Sequence, residues 1–89
     1  MTVTEFANAI TAYASVTGAS ATSWFRTNPH NMAVGGVAGS AHRFGLAVDV
    51  IYDRALELSW RQELARRLGL RLIAEDDHDH LQPLAWPPG

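Results

Sequence analysis

Leu46-Ala47-Val48-Asp49-Val50-Ile51-Tyr52 is the stretch on which the fold turns. It is apolar at both parities, which predicts a strand covered on both faces and therefore central in its sheet. One carboxylate, Asp49, stands in the middle of it. Burying an unpaired carboxylate is costly, so this strand needs a partner for Asp49 as well as neighbours for its apolar side chains.

Downstream, Ser59 and Gln62 have the spacing of a capping box, Trp60, Leu64 and Leu68 form a helical stripe, and Gly69 supplies a stop. Leu70-Arg71-Leu72-Ile73-Ala74 reads as a second strand, Asp76-Asp77 as an acidic turn, and residues 78–82 as a third strand, with Pro83 and Pro87-Pro88 closing the chain. Upstream, Thr2 and Glu5 form a capping box before a helix whose apolar face is Phe6, Ala9, Ile10, Tyr13 and Val16, ended by Gly18. Residues 19–23 read as a small polar connector, Trp24-Phe25-Arg26 as a short strand, and Thr27-Asn28-Pro29 as a turn. The loop that follows carries Gly35-Gly36 and Gly39. The order helix, strand, strand, helix, strand, strand predicts an α+β fold: a small, mostly antiparallel sheet with two packing helices. At 89 residues, the chain 1–89 is expected to be a single domain.

Composition narrows the function. With 47% hydrophobic and 18% charged residues the chain is that of a folded domain, and disorder is excluded. Seven arginines, no lysine and nine acids leave a net charge of −2 and no basic face for nucleic acid. No apolar run reaches the roughly 20 residues of a membrane span. The N-terminus lacks a basic stretch followed by an apolar core, so no signal peptide is visible, and the expected location is cytoplasmic until release. Cysteine is absent, so no disulfide staples a core this small, and chains of this size often lean on a metal or a partner.

The partner of Asp49 is either an arginine, such as Arg26 or Arg43, or a metal ion. His42 precedes Asp49 by seven positions, and His78 and His80, at i and i+2, share one face of a strand that can lie across the sheet. Ala47 shares the Asp49 face and leaves room beside it. Imidazoles with one carboxylate suit zinc with an open position for water; no loop has the alternating oxygen ligands that calcium takes. Asp76 and Asp79 read as solvated charges, Arg54, Arg61, Arg66, Arg67 and Arg71 as surface charges, Asp53 as a turn residue, and His30 as an exposed loop histidine.

Ser40-Ala41-His42-Arg43-Phe44-Gly45-Leu46-Ala47-Val48-Asp49-Val50 resembles the S-x-H-x-x-G-x-A-x-D-V/I signature of the zinc D-Ala-D-Ala carboxypeptidases. That family includes D-Ala-D-Ala dipeptidases, phage L-alanyl-D-glutamate endopeptidases and the Hedgehog signalling domain. Asp77-His78-Asp79-His80-Leu81-Gln82 resembles its second motif, and Trp24-Phe25-Arg26-Thr27-Asn28-Pro29-His30-Asn31 with Val34-Gly35-Gly36-Val37 its arginine-bearing stretch. The resemblance covers about residues 23–82, with the motifs in the family's order. It implies one zinc ion per chain, held by His42, Asp49 and His80. It implies Asp77 as general base, with Glu75 competing at the same turn. Asp77 lies three positions before His80, an odd number, so a turn or bulge has to re-aim it. The resemblance further implies that His78 stabilises the oxyanion, that Arg26 holds the substrate's carboxylate or polarises its carbonyl, and that Ser40 orients the site or touches substrate.

The implied activity is zinc-assisted hydrolysis of an amide bond in a peptidoglycan stem peptide, by a D-Ala-D-Ala carboxypeptidase or a phage-type endopeptidase. The alternatives are a zinc-containing module that recognises a peptide or protein partner without cutting it, and a structural protein whose acid–histidine cluster is incidental. The chain is short even for that family's catalytic core, so substrate subsites are expected to be shallow or supplied by a second copy in a homo-oligomer.

Overall fold

A computed structural model describes residues 1–24 and 46–85. Among the described residues the elements run α1 (Val3–Thr17), β1 (Ser20–Ser23), β2 (Val48–Ile51), α2 (Leu58–Arg67), β3 (Leu70–Ala74) and β4 (Asp79–Pro83). The four strands form one sheet in the order β1-β2-β4-β3, every neighbouring pair antiparallel. The fold is α+β, as the order of elements predicts, and the strand carrying Asp49 is internal.

α1 begins where the sequence places it. The Glu5 backbone N–H donates to Thr2 Oγ1 at 3.1 Å and the Thr2 N–H to Glu5 Oε1 at 2.7 Å, closing the capping box. Gly18, with φ +75°, ends the helix in the left-handed region and returns its N–H to the Ala14 carbonyl. Phe6, Ala9, Ile10 and Tyr13 are buried, but Val16 is exposed, and Thr17 is the buried residue at the C-terminal end of the helix. The Thr17 hydroxyl donates to the Tyr13 carbonyl at 2.8 Å, which makes its burial inexpensive.

Alternation along the strands separates two faces. Val48 and Val50 of β2, Leu70 and Leu72 of β3 and Leu81 of β4 join Phe6, Ile10, Tyr13 and Ala65 in one core on the helix side. Trp24, just beyond β1, meets the Phe6 ring edge-on, with centroids 5.9 Å apart. At roughly 2–5 kcal/mol for a Leu-to-Ala truncation in such a core, Leu70 and Leu81, both fully buried, are the most sensitive aliphatic positions.

Several expectations need correction. Residues 19–23 are not a connector: Ser20-Ala21-Thr22-Ser23 is an edge strand, paired to β2 with a bulge between Ala21 and Ser23. Its side chains are mostly exposed, so it carries no hydrophobic alternation, and its strand character comes from the hydrogen bonds β2 offers. Trp24 falls outside that strand; Phe25, Arg26 and the Thr27-Asn28-Pro29 turn lie outside the described residues, as do Gly35, Gly36, Gly39 and Pro87-Pro88. α2 is capped at Glu57 and makes no side-chain cap bond, so the Ser59–Gln62 box does not form; Ser59 already lies inside the helix. Trp60 is exposed, and Ala65 is the residue of α2 that enters the core. None of the described helices is long and apolar enough to cross a membrane.

The largest corrections concern Asp79 and Arg61, which are not solvated charges. Asp79 is 4% exposed on the helix side of β4. It pairs with Arg61 of α2 and accepts from the Tyr52 hydroxyl at 2.6 Å, and the Tyr52 and Tyr13 hydroxyls are bonded at 2.7 Å. The Arg61 guanidinium also lies over the Tyr52 ring, 5.4 Å from its centroid. Because Asp79 alternates with His78 and His80, turning Asp79 inward turns both histidines outward.

Removing one partner of a buried pair leaves the other charge uncompensated. Asp79→Ala is therefore expected to lower the unfolding free energy of metal-free protein by about 3 kcal/mol, read from urea denaturation. Arg66→Ala, which removes only the exposed pair with Glu63, should change it by no more than about 0.5 kcal/mol. Equal losses in the two variants would show that the buried network is not what ties α2 to the sheet.

Candidate metal centre

The sheet face opposite the helices carries the titratable cluster. Register places Ser23, Asp49, His80 and Ile73 in one row across all four strands. Asp49 and His80 are directly opposed on the two central strands, so their side chains meet without help from any loop. The Asp49 Oδ1 is 3.0 Å from His80 Nδ1 and 3.8 Å from His78 Nε2, so one carboxylate oxygen faces both imidazoles. The three side chains are partly buried, Asp49 and His80 at 16% exposure and His78 at 30%.

Each imidazole is held from behind. His80 Nε2 donates to Gln82 Oε1 at 2.8 Å, a residue two positions on and on the same face. With that proton on Nε2, the neutral ring turns the Nδ1 lone pair toward Asp49 Oδ1. A cation shared between Nδ1 and Oδ1 then closes the 3.0 Å contact, whereas in the other tautomer Nδ1–H donates to Asp49 directly. Two ligands on a tetrahedral zinc ion, with bonds near 2.0 Å, lie about 3.3 Å apart, close to the spacing here. A ligating histidine fixed through its second nitrogen is the usual supporting arrangement. Asp49 and His80 are thus two donors of the kind zinc takes, one short of the three protein ligands of a catalytic zinc site.

His78 is held by Asp77. Its Nδ1–H donates to Asp77 Oδ1 at 2.6 Å, and the bond pushes the His78 pKa above the ordinary histidine value, helped by the negative charge of Asp49. The same bond holds the Asp77 carboxyl below the usual carboxylate range. Asp77 precedes β4 in the bend of the β3–β4 turn, which the Glu75 N–H closes on the His78 carbonyl at 2.9 Å; strand parity does not constrain it there. Asp77, Glu75 and His78 line one cleft. Of the other expected site residues, Arg26, Ser40 and His42 lie outside the described residues, as do Arg43 and His30. Among the described residues no three His, Asp or Glu side chains form a group able to hold a metal ion.

The role of Gln82 was not apparent in the sequence reading, although it stands two positions from His80 and so on the same strand face. The inward turn of Asp79 was missed as well; the signal for it was its place in a strand between two histidines on the opposite face. No protein-family model, no curated protein and no solved structure matches the chain.

The Asp77–His78 pair has a defined pH window. A raised histidine pKa contributes stability that is complete below the unfolded value and lost as pH rises through the folded one. A lowered aspartate pKa contributes stability that is complete above its unfolded value and lost as pH falls through the folded one. The pair is therefore fully effective between about pH 4 and pH 6.5. In metal-free protein the His78 ring proton should titrate above the ordinary histidine value in NMR spectra, and Asp77→Asn should move that midpoint down; an unmoved midpoint would show that Asp77 does not hold His78.

Proposed function

We propose that the chain is a zinc peptidase that hydrolyses an amide bond in peptidoglycan stem peptides. The observation that carries this reading is the Asp49–His80 pair: a carboxylate and an imidazole opposed on the two central strands of the sheet, Oδ1 to Nδ1 at 3.0 Å, with Gln82 fixing the ring from behind. His42, in the motif that resembles the zinc D-Ala-D-Ala carboxypeptidases, is the third ligand in this reading, and Arg26 and Ser40 are the substrate-binding residues. The Hedgehog-like form of the α+β fold belongs to the same proposal.

Zinc at such a site supplies Lewis acidity, bringing the pKa of water down to about 7 and polarising a carbonyl. The chain's own residues do the rest. Asp49 and His80 would be the residues that hold the ion. His78, whose pKa Asp77 raises, turns Nε2 toward the same corner of the sheet, and in its protonated form that nitrogen can donate to a developing oxyanion. Asp77 and Glu75 are the two carboxylates able to take a proton from water and pass it to the leaving amine: Asp77 is fixed against His78, and Glu75 lines the same cleft with a longer reach.

The test is metal analysis followed by assay on stem peptides ending in D-Ala-D-Ala and on purified sacculi. The expected results are about one equivalent of zinc, cleavage of one of these substrates, and loss of both metal and cleavage in Asp49→Ala and His80→Ala. Chelation should also lower the melting temperature, because an ion held by Asp49 and His80 would join β2 to β4. At least one of Asp77→Ala and Glu75→Ala should lower kcat by 100-fold or more, in the range typical of general base catalysis. Protein that binds no zinc would overturn the reading, and zinc without cleavage would leave a metal-containing module that recognises a partner.

A further inference from the structure

A cleft of about 360 Å³ opens beside His78, between the segment that follows β2 and the β3–β4 turn. It is small, at the low end of the range for ligand sites, and suits one or two residues of a peptide rather than an extended chain. Ile51 and Leu56 give it an apolar wall. Its charges are arranged unevenly. Glu75, Asp77 and His78 come from the β3–β4 turn, whereas Arg54 and Arg61 come from the other wall.

The two arginines are in different states. The charge of Arg61 is taken up by buried Asp79, and its Nε donates to the Leu56 carbonyl at 3.0 Å. Arg54, exposed on the chain between β2 and α2, makes no hydrogen bond or ion pair among the described residues. The cleft thus joins the corner holding His78 to one guanidinium whose five donors have no partner among the described residues. An anion in the cleft is repelled by Glu75 and Asp77 and drawn to Arg54, where a carboxylate can accept two parallel bonds.

We infer that this cleft binds a short anionic peptide segment, with Arg54 anchoring its carboxylate and Ile51 and Leu56 covering its apolar part. The inference rests on the peptidase reading, since it places the anchored residue next to His78. It adds a second arginine, on the segment between β2 and α2, to the substrate contacts expected of Arg26. Two carboxylates meet the description, the C-terminal one of the peptide and the side chain of an acidic residue within it.

The experiment uses the full ¹⁵N-labelled chain with one equivalent of zinc, titrated with N-acetyl-D-alanine, N-acetyl-D-alaninamide and N-acetyl-D-glutamic acid α-amide. At least one of the two acids should shift the Arg54 Nε–H and the backbone amides of Ala55 and His78. Binding of the neutral amide should be about tenfold weaker. Arg54→Ala should cost about tenfold in affinity for the acid, and Arg54→Lys should restore part of it by keeping the charge. Whichever acid binds more tightly identifies the carboxylate. Equal binding of acid and amide, an unchanged affinity in Arg54→Ala, or shifts confined to residues outside the cleft would overturn the inference. The two readings fail separately. Zinc-free or inactive protein that still binds the acid through Arg54 counts against the peptidase and keeps the cleft. Active protein indifferent to Arg54 does the reverse.

Discussion

Asp79 is the carboxylate on which four parts of the chain converge: α1 through Tyr13, the end of β2 through Tyr52, α2 through Arg61, and β4 through its own backbone. A buried carboxylate is tolerated only when its lone pairs are met by donors, and here one charged and one neutral donor meet them. Tyr52 is bound on both sides, between Tyr13 and Asp79, and burial beside a carboxylate pushes its pKa far up, so it remains a donor at every ordinary pH. No described side chain is left with a buried polar atom lacking a partner. The network is thus complete, the condition under which buried polarity specifies an arrangement.

The consequence of that arrangement lies on the other face of the sheet. A strand presents successive side chains to opposite sides, so anchoring Asp79 inward fixes His80 outward and aims His78 toward Asp49. β2 and β4 are the two internal strands, and a pair opposed on them is among the most rigid placements a small sheet offers. The cluster therefore owes its geometry to backbone register and to a salt bridge on the helix side. Gln82 and Asp77 then set which nitrogen of each ring faces the carboxylate.

Much of this was legible from residue pattern. Residues 70–74 form a strand with the expected bounds, Thr2–Glu5 caps α1, and Gly18 ends it, because each is a local preference strong enough to act alone. Asp49 inside an apolar strand and two histidines at i and i+2 pointed to one cluster, and Asp49 and His80 do meet. The misses share a cause. Ser20-Ala21-Thr22-Ser23 has no strand pattern of its own and becomes one by pairing with β2. Ser59 and Gln62 have the spacing of a cap, but the helix begins at Leu58, one residue before Ser59. Arg61 sits 18 positions from Asp79, a pairing that sequence distance does not suggest.

What the sequence determined by itself is what rests on near neighbours: the helix caps, the strand alternation, the shared face of His78, His80 and Gln82, and the need of Asp49 for a partner. What only the tertiary structure decided is which distant residues meet. The pairing of Asp49 with His80 depends on register between β2 and β4, the burial of Asp79 on the approach of α2, and the strand state of residues 20–23 on a hydrogen-bonding edge. Local preferences act over one turn or a few residues, whereas a charge is buried or solvated according to everything packed around it, and that is known only once the sheet and its helices are assembled.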